Sequence, residues 1–311
     1  MSNLLILGEQ HKFSVLELKE LEHKFLDINF IVYKNMDTNY IIKLISELLD
    51  NSEKTIILLN TKALIPGKLL RYLTTNIKKN KIEYITIQTF MEKYLLKSYV
   101  PYDLTDISFL EKVKPFSIIE KSIKVIFEYI IASILLLLTS PIMLYTIYRI
   151  KKDSPGSILF KQKRVGKNGK EFNCIKFRSM HIDAEKDGAK FATENDERIY
   201  PWGKTMRTTR IDELPQLWNV IKGDMHLIGP RPERKVWIEQ FEKEIPYYNE
   251  RHIIKPGLTG WAQVLYPYGA NAYDAQQKLM YDLYYIKHWS LWLEVKTIWK
   301  TIVVVLYRKG V

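Results

Sequence analysis

Cysteine is nearly absent from this sequence of 311 residues, in which Cys174 is the one cysteine. A single thiol forms no disulfide within the chain, which argues against a disulfide-stabilised secreted fold and fits a reducing compartment. The six histidines show no H-E-x-x-H or other ligand spacing, so the sequence predicts no zinc site. Residues 1–8 lack the basic start and long apolar run of a signal peptide, so none is expected.

Acidic residues are too few to balance the basic ones, and the net charge is +12. Residues 1–115 carry 16 basic and 14 acidic side chains, whereas residues 116–311 carry 31 and 21. An excess of positive charge in one part of a chain indicates a polyanionic partner: nucleic acid, an anionic membrane surface or phosphorylated substrates. Seven Trp and twenty Tyr favour the membrane interface, where such rings concentrate.

The first hundred residues alternate between short apolar runs and helical patterns, which predicts an α/β fold with a parallel sheet, Rossmann-like in outline. The predicted strands are residues 4–7, 28–33, 55–59 and 83–87, and the clearest predicted helices are 40–49 and 68–77. A dinucleotide fingerprint requires G-x-G-x-x-G after the first strand, and only Gly8 is present there. A structural or regulatory module is therefore favoured over a nucleotide-binding one.

Residues 123–147 form the one apolar run long enough to enter a membrane. Basic residues flank it at both ends: Lys121 and Lys124 stand at its start, and Arg149, Lys151 and Lys152 follow it. The positive-inside tendency then places both ends on the cytoplasmic side. The sequence therefore favours a re-entrant helix-break-helix over a kinked transmembrane span or a buried helix of a soluble domain.

A Ser-Pro pair lies deep in this run. Pro141 removes a helix hydrogen bond and predicts a kink. The hydroxyl of Ser140 is placed to satisfy a carbonyl that the kink frees.

Seven cationic side chains crowd into residues 161–178, around turn-forming residues at 166–169. Residues 162–166 and 172–178 predict a β-hairpin, in which alternation puts Lys176 and Arg178 on one face. Two cations on one strand face suit phosphate binding. A solvated basic face near anionic lipid is the alternative.

Asp212 and Glu213 stand at the start of a helical pattern that continues through Leu217. Acidic residues at a helix N-terminus often serve only as caps. Arg207 and Arg210 nearby supply a cationic setting, in which one carboxylate can attack phosphorus while the other holds Mg²⁺. Mg²⁺ prefers one or two carboxylates plus substrate phosphates, so no cluster of His or Cys is required.

Arg231 is framed by Pro230 and Pro232. The two prolines stiffen the backbone and aim one guanidinium group, which favours a functional arginine over an arbitrary loop residue.

From residue 116 to residue 311 the sequence resembles the bacterial sugar transferases, the monotopic polyprenol-phosphate phosphoglycosyl transferases. The shared motifs, in order, are SP at 140–141, DSPG at 153–156, QKRVG at 162–166, KFRSM at 176–180, DELPQLWN at 212–219, GDM at 223–225, GPRP at 229–232, KPGLTGWAQV at 255–264 and YDLYYI at 281–286. Residues 265–271 depart from the short Asn-Gly-Arg-like turn of many members and resemble the exopolysaccharide-type members.

The resemblance implies that Asp212 is the nucleophile, which forms a phosphosugar-aspartate and releases UMP, and that Glu213 coordinates Mg²⁺ beside it. It implies phosphate contacts for Lys176, Arg178, Arg207 and Arg231, and a supporting role near the substrate for Asp282. Ser140 and Pro141 would form the kink of the re-entrant helix. The implied substrates are a UDP-sugar and undecaprenyl phosphate, for exopolysaccharide or lipopolysaccharide assembly at the cytoplasmic face of the bacterial inner membrane.

The predicted layout is a Rossmann-like α/β domain at 1–100, a linker at 101–117, a re-entrant membrane helix at 118–150 and a membrane-associated α/β catalytic domain at 151–311. Residues 239–248 and 291–305 are expected at the membrane interface. No nucleic-acid partner is expected, and the sequence leaves open the sugar and whether the chain forms a homo-oligomer. Two rival functions remain at this point: a Mg²⁺-dependent phosphoryl transferase with a soluble substrate, and a non-catalytic membrane scaffold.

Overall fold

The computed structural model describes residues 1–32, 36–50, 54–62, 64–79, 82–102, 107–184, 186, 196–267, 269 and 271–307. The chain divides into two compact units, Met1–Tyr99 and Val100–Val311.

The first unit is built on a four-stranded parallel sheet with strand order β2-β1-β3-β4. Its elements are β1 (Ser2–Leu7), α1 (Val15–Glu22), β2 (Phe25–Ile31), α2 (Thr38–Asp50), β3 (Thr55–Leu59), α3 (Gly67–Lys78), β4 (Ile82–Thr86) and α4 (Ile87–Tyr94). The α/β class, the parallel sheet and the four predicted strand positions are confirmed. The predicted end of the second strand, Tyr33, lies outside the described residues.

The core of this unit follows from strand alternation. Leu5 and Leu7 of β1 pack with Ile41 and Ile45 of α2 and with Leu69 of α3. Successive side chains of a strand point to opposite faces of the sheet. The residues that alternate with them in β1 are also buried, so the sheet has covered faces on both sides, as parallel sheets require.

The second unit begins with one long helix and continues with a hairpin, a small parallel strand pair and six further helices among the described residues. Its elements are α5 (Ile118–Asp153), β5 (Leu159–Val165), β6 (Glu171–Phe177), α6 (Pro201–Thr208), α7 (Gln216–Lys222), β7 (His226–Ile228), α8 (Lys235–Glu244), β8 (Gly257–Thr259), α9 (Trp261–Leu265), α10 (Ala272–Lys287) and α11 (Leu291–Leu306). The predicted hairpin is confirmed, because β5 and β6 pair antiparallel. β7 and β8 pair in parallel.

The helix α5 continues through Pro141. Proline lacks the N–H that would bond to the carbonyl four residues earlier, which is the carbonyl of Leu137. The Ser140 hydroxyl donates to this carbonyl at 2.8 Å. The kink and the re-entrant turn that the sequence favours at Pro141 stay predictions, because α5 is one continuous helix here. The helix is apolar and long enough to cross a membrane.

Both ends of α5 pack on the remainder of the second unit. Near its start, Lys124, Glu128 and Ala132 are buried, and near its end Thr146 and Ile150 are buried. None of residues 133–145 between them is buried. The helix therefore has two anchored arms and a middle third that offers apolar side chains to its surroundings.

Candidate active site

A strained turn presents the two carboxylates that the sequence singles out. Arg210 has a φ of 59°, in the left-handed region that is unfavourable for residues with a side chain. A 3₁₀ turn, Ile211–Glu213, follows it, and α7 begins at Gln216. Asp212 and Glu213 are therefore not in the helix itself, and both are 8% exposed.

Glu213 is surrounded by three cations that converge on one of its oxygens. Arg231 Nη2 and Lys176 Nζ each lie 2.9 Å from Glu213 Oε1, and Arg210 Nη1 lies 3.8 Å from it. Burial alone would raise the pKa of Glu213, but the charges of Arg231, Lys176 and Arg210 hold it well below the usual value. Glu213 is therefore an anion in the folded protein.

Asp212 has a different environment from its neighbour. Burial raises the pKa of its carboxyl group, and the negative charge of Glu213 raises it further, against the opposing charges of Lys176 and Arg207. Its Oδ1 atom is buried and makes no hydrogen bond within the described part of the chain. A carboxylate oxygen without a protein partner, next to a cluster of cations, is suited to attack a phosphorus atom or to bind a metal ion.

The cations reach this turn from separate elements. Lys176 lies on β6, and Arg207 lies at the end of α6. Arg231 follows β7, and its Nη1 donates to Gln263 Oε1 at 3.0 Å. The sequence analysis did not select Gln263, although it lies within the motif at 255–264.

Asp282 lies behind the Arg231 loop. Its Oδ2 is 2.7 Å from Arg251 Nη2, and Arg251 also donates to the backbone carbonyl of Arg231 at 3.1 Å. Burial raises the pKa of Asp282 to about 6, although the charge of Arg251 opposes this shift. Asp282 thus contacts the site through Arg251, a buried arginine that sequence reasoning missed because nothing in its local pattern distinguishes it.

Arg178 does not share the partner of Lys176, which is Glu213. Its guanidinium donates to the carbonyls of Ser154 at 2.6 Å and Pro155 at 3.0 Å, directly after α5. β6 ends at Phe177, so the alternation that predicted a shared face with Lys176 does not extend to Arg178. In this structure Arg178 fixes the exit of the long helix.

The carboxylate pair can be tested for its fit to Mg²⁺. No group of three or more His, Cys, Asp or Glu side chains that could hold a metal occurs among the described residues. Mg²⁺ is usually held by one or two carboxylates, with phosphates and water completing its shell. The buried, unpartnered Oδ1 of Asp212 beside the Glu213 anion fits that requirement.

The model of the bacterial sugar transferase family matches residues 119–308, which include α5 from its second residue onward and every residue of the carboxylate site.

Three relatives illustrate the likeness. Over 183 residues, the chain is 50% identical to a UDP-N-acetylgalactosamine-undecaprenyl-phosphate N-acetylgalactosaminephosphotransferase of Aeromonas hydrophila, with 59% of this chain and 43% of that protein matched. It is 41% identical over 189 residues to a UDP-glucose:undecaprenyl-phosphate glucose-1-phosphate transferase of Xanthomonas campestris pv. campestris, with 60% and 39% matched. It is 36% identical over 190 residues to the Escherichia coli (strain K12) protein of the same name, with 60% and 41% matched. The chain therefore spans less than half the length of each of these relatives.

Proposed function

The chain belongs to the bacterial sugar transferase family, and on that premise we propose that it transfers a sugar-1-phosphate from a UDP-sugar to undecaprenyl phosphate and releases UMP. The names of its relatives support these two substrates. The observation that carries the proposal is the unpartnered Asp212 Oδ1 beside a Glu213 that three cations hold in its anionic form.

The reaction proceeds in two displacements. Asp212 Oδ1 attacks the phosphorus that bears the sugar, and the bond from this phosphorus to the UMP oxygen breaks, so that UMP leaves with the electron pair. A phosphate oxygen of undecaprenyl phosphate then attacks the same phosphorus, and the Asp212 carboxylate leaves. Two steps suit a water-soluble donor and a lipid acceptor that meet at an interface.

The cations of the site stabilise the charge that moves during transfer. Lys176, Arg207 and Arg231 are placed to neutralise phosphate oxygens, and Glu213 orients two of them. Asp212 and Glu213 would hold Mg²⁺, which supplies Lewis-acid stabilisation of the phosphate charge when it is bound. The contacts of Arg178 support a role in fixing the end of α5 in place of the phosphate contact that the resemblance implies.

The long helix is re-entrant in this proposal. Thirty-six residues extend about 54 Å as a straight helix, enough to cross a bilayer core of about 30 Å. A true span would place its two ends on opposite sides of the membrane, yet Glu128 and Ile150 both pack on the same unit. The packing of both arms on one unit supports a placement of both on one side of the membrane, and the positive-inside tendency favours the cytoplasmic face of the inner membrane for that side.

The last helix supports the same orientation. On α11, Trp292 is 74% exposed and Trp299 is 66% exposed, and Val295, Ile302 and Leu306 continue the exposed stripe at helical spacing. An apolar stripe of this kind with indole rings is typical of a helix in the membrane interface.

In this proposal, residues 1–100 are a module that modulates the enzyme and takes no part in catalysis.

The decisive experiment measures UMP release by purified protein in lipid nanodiscs. UDP-N-acetylgalactosamine, UDP-glucose and UDP-galactose are each supplied with undecaprenyl phosphate. We expect UMP release with at least one donor, dependent on the lipid and on Mg²⁺ for turnover. Release of inorganic phosphate in place of UMP would instead identify a phosphatase, and no release with any donor would contradict the proposed function.

A further inference from the structure

Two charged residues of the long helix are buried without any role in the proposed chemistry. Lys124 is 0% exposed and Glu128 is 2% exposed, and Lys124 Nζ lies 2.8 Å from Glu128 Oε1. Lys124 Nζ also lies 2.7 Å from Glu294 Oε1 and 2.7 Å from Tyr285 Oη. A buried ion pair adds little net stability over apolar packing. Here the contact of Lys124 with Glu294 joins α5 to α11.

Glu128 binds the short strand β7. Its Oε1 accepts the backbone N–H groups of Leu227 at 2.9 Å and Ile228 at 3.2 Å, and its Oε2 lies 2.6 Å from His226 Nδ1. Lys124 donates to the carbonyl of Ile228 at 3.1 Å. Side chains from α5 thus bond to backbone N–H and C=O groups of β7, and the Ile228 carbonyl also accepts from the Tyr285 hydroxyl at 3.1 Å.

The strand leads directly to the arginine of the candidate site. Arg231 follows Ile228 by three residues, and the connection is stiff. Gly229 N donates to Thr259 O, and Gly257 N donates to Pro230 O, both at 2.9 Å. An added Cβ on Gly257 would lie 2.0 Å from Gly229 N, so the two segments are in closest contact here. Arg231 then reaches Glu213.

We propose that Lys124 and Glu128 are positioning residues, which link the seating of α5 in the membrane to the placement of Arg231 against Glu213. This inference rests on the proposed function for its activity readout. Neither residue touches a substrate; both act through β7.

The test is a double-mutant cycle between Glu128→Gln and Arg231→Lys, in which UMP release is measured for each variant. Glu128→Gln alone should lower kcat about tenfold, with a smaller change in the KM for the UDP-sugar. In the Arg231→Lys background, the same change should lower kcat far less, because the residue through which Glu128 acts is already altered. Equal losses in both backgrounds would overturn the proposal, since a purely structural role gives additive effects.

Matched controls separate positioning from general damage. Glu239→Gln removes a carboxylate from another i,i+4 Lys-Glu pair, that of Lys235 and Glu239 on the exposed face of α8, and should leave kcat unchanged. If Glu128→Gln lowers the thermal transition so far that the protein does not fold, the cycle is run with His226→Phe, which keeps an aromatic ring and removes the Nδ1 atom that contacts Glu128 Oε2. The same non-additivity is expected, and additivity again overturns the proposal.

A measurement independent of activity distinguishes this inference from the proposed function. Amide hydrogen exchange in nanodiscs should become faster across residues 226–232 in Glu128→Gln and unchanged there in Glu239→Gln. Faster exchange confined to α5 would overturn the link even in an active enzyme. Absence of UMP release by the wild type would contradict the proposed function. The exchange result would then still decide whether Glu128 positions the segment that carries Arg231.

Discussion

Arg231 Nη2 donates to Glu213 Oε1 at 2.9 Å, although the two residues are 18 positions apart in the chain. The same oxygen is 2.9 Å from Lys176 Nζ, so the Oε1 atom of Glu213 is committed to these cations. Asp212, next to it, has a buried oxygen without a hydrogen-bond partner in the described structure. Two adjacent carboxylates thus have different environments, which is the condition for giving them different roles.

Asp212→Asn should abolish UMP release while the fold and membrane association persist. The amide has nearly the same shape but is a very poor nucleophile, and loss of a nucleophile typically lowers turnover by several orders of magnitude. The measurement is UMP release together with thermal unfolding, with Glu239→Gln as the control. A variant that keeps a tenth of wild-type turnover would show that Asp212 is not the nucleophile. In the wild type, acid quenching and mass spectrometry should find a phosphosugar adduct on the peptide that contains Asp212.

The two ends of α5 should be on the same side of the membrane. Single cysteines at positions 119 and 152 in a Cys174→Ala background should both resist an impermeant thiol reagent applied to intact cells. Alanine suits this background because the thiol of Cys174 is buried. Labelling of one position and protection of the other would indicate a span. Pro141→Ala should shift the molecule toward such a span, because it removes the defect at the Leu137 carbonyl.

The second unit should retain UMP release without the first. The truncated chain should start at Val100, the first residue of the second unit. Phe109 packs edge-on against Tyr247, with ring centroids 5.0 Å apart. A chain that starts near Lys112 would lose this contact. We expect measurable activity from the chain starting at Val100, with lower stability or altered regulation as compatible outcomes. A well-folded, membrane-bound truncation without activity would show that residues 1–99 contribute to the active site.

The first unit should lose stability in acid through Glu17. Burial alone would raise the pKa of Glu17, but a hydrogen bond to His11 and the charge of Lys97 lower it from 4.5 to about 2. A lowered pKa in the folded state stabilises the unit above the unfolded pKa, and this contribution is lost as the pH falls from about 4.5 toward 2. The shift corresponds to about 3 kcal/mol.

Glu17→Gln should therefore lower the free energy of unfolding of this unit by a few kcal/mol at pH 7, and the difference from wild type should shrink toward pH 2. All seven Trp lie at positions 202–299, so Trp fluorescence follows only the second unit and serves as the control. Hydrogen exchange at core amides of β1 and β3 follows the first unit. A difference between variant and wild type that is constant from pH 7 to pH 2 would contradict the assignment.

The sequence by itself determined what depends on neighbours along the chain. Short continuous apolar runs predicted β1 and β3, because a parallel strand covered on both faces is apolar throughout, and the turn-forming residues between two strand-like segments predicted the hairpin β5–β6. The helical pattern that follows the acidic pair predicted that α7 exists, although α7 begins at Gln216, after the 3₁₀ turn that carries the pair. The Ser140-Pro141 pair predicted a bond from the Ser140 hydroxyl to a carbonyl that Pro141 leaves free, and that bond is present. The order of motifs identified the family before any contact was known.

The tertiary structure alone decided which charges meet. From the sequence, Lys124 is a flanking cation at a membrane surface; in the fold it is completely buried between Glu128 and Glu294. Arg251 and Gln263 became site residues only when their partners, Asp282 and Arg231, were brought beside them. The physical reason is that a local pattern reports how a segment divides its surface between apolar and polar sides. The pairing of a buried charge depends on other elements of the chain that the pattern does not contain, and Glu294 is 170 residues from Lys124.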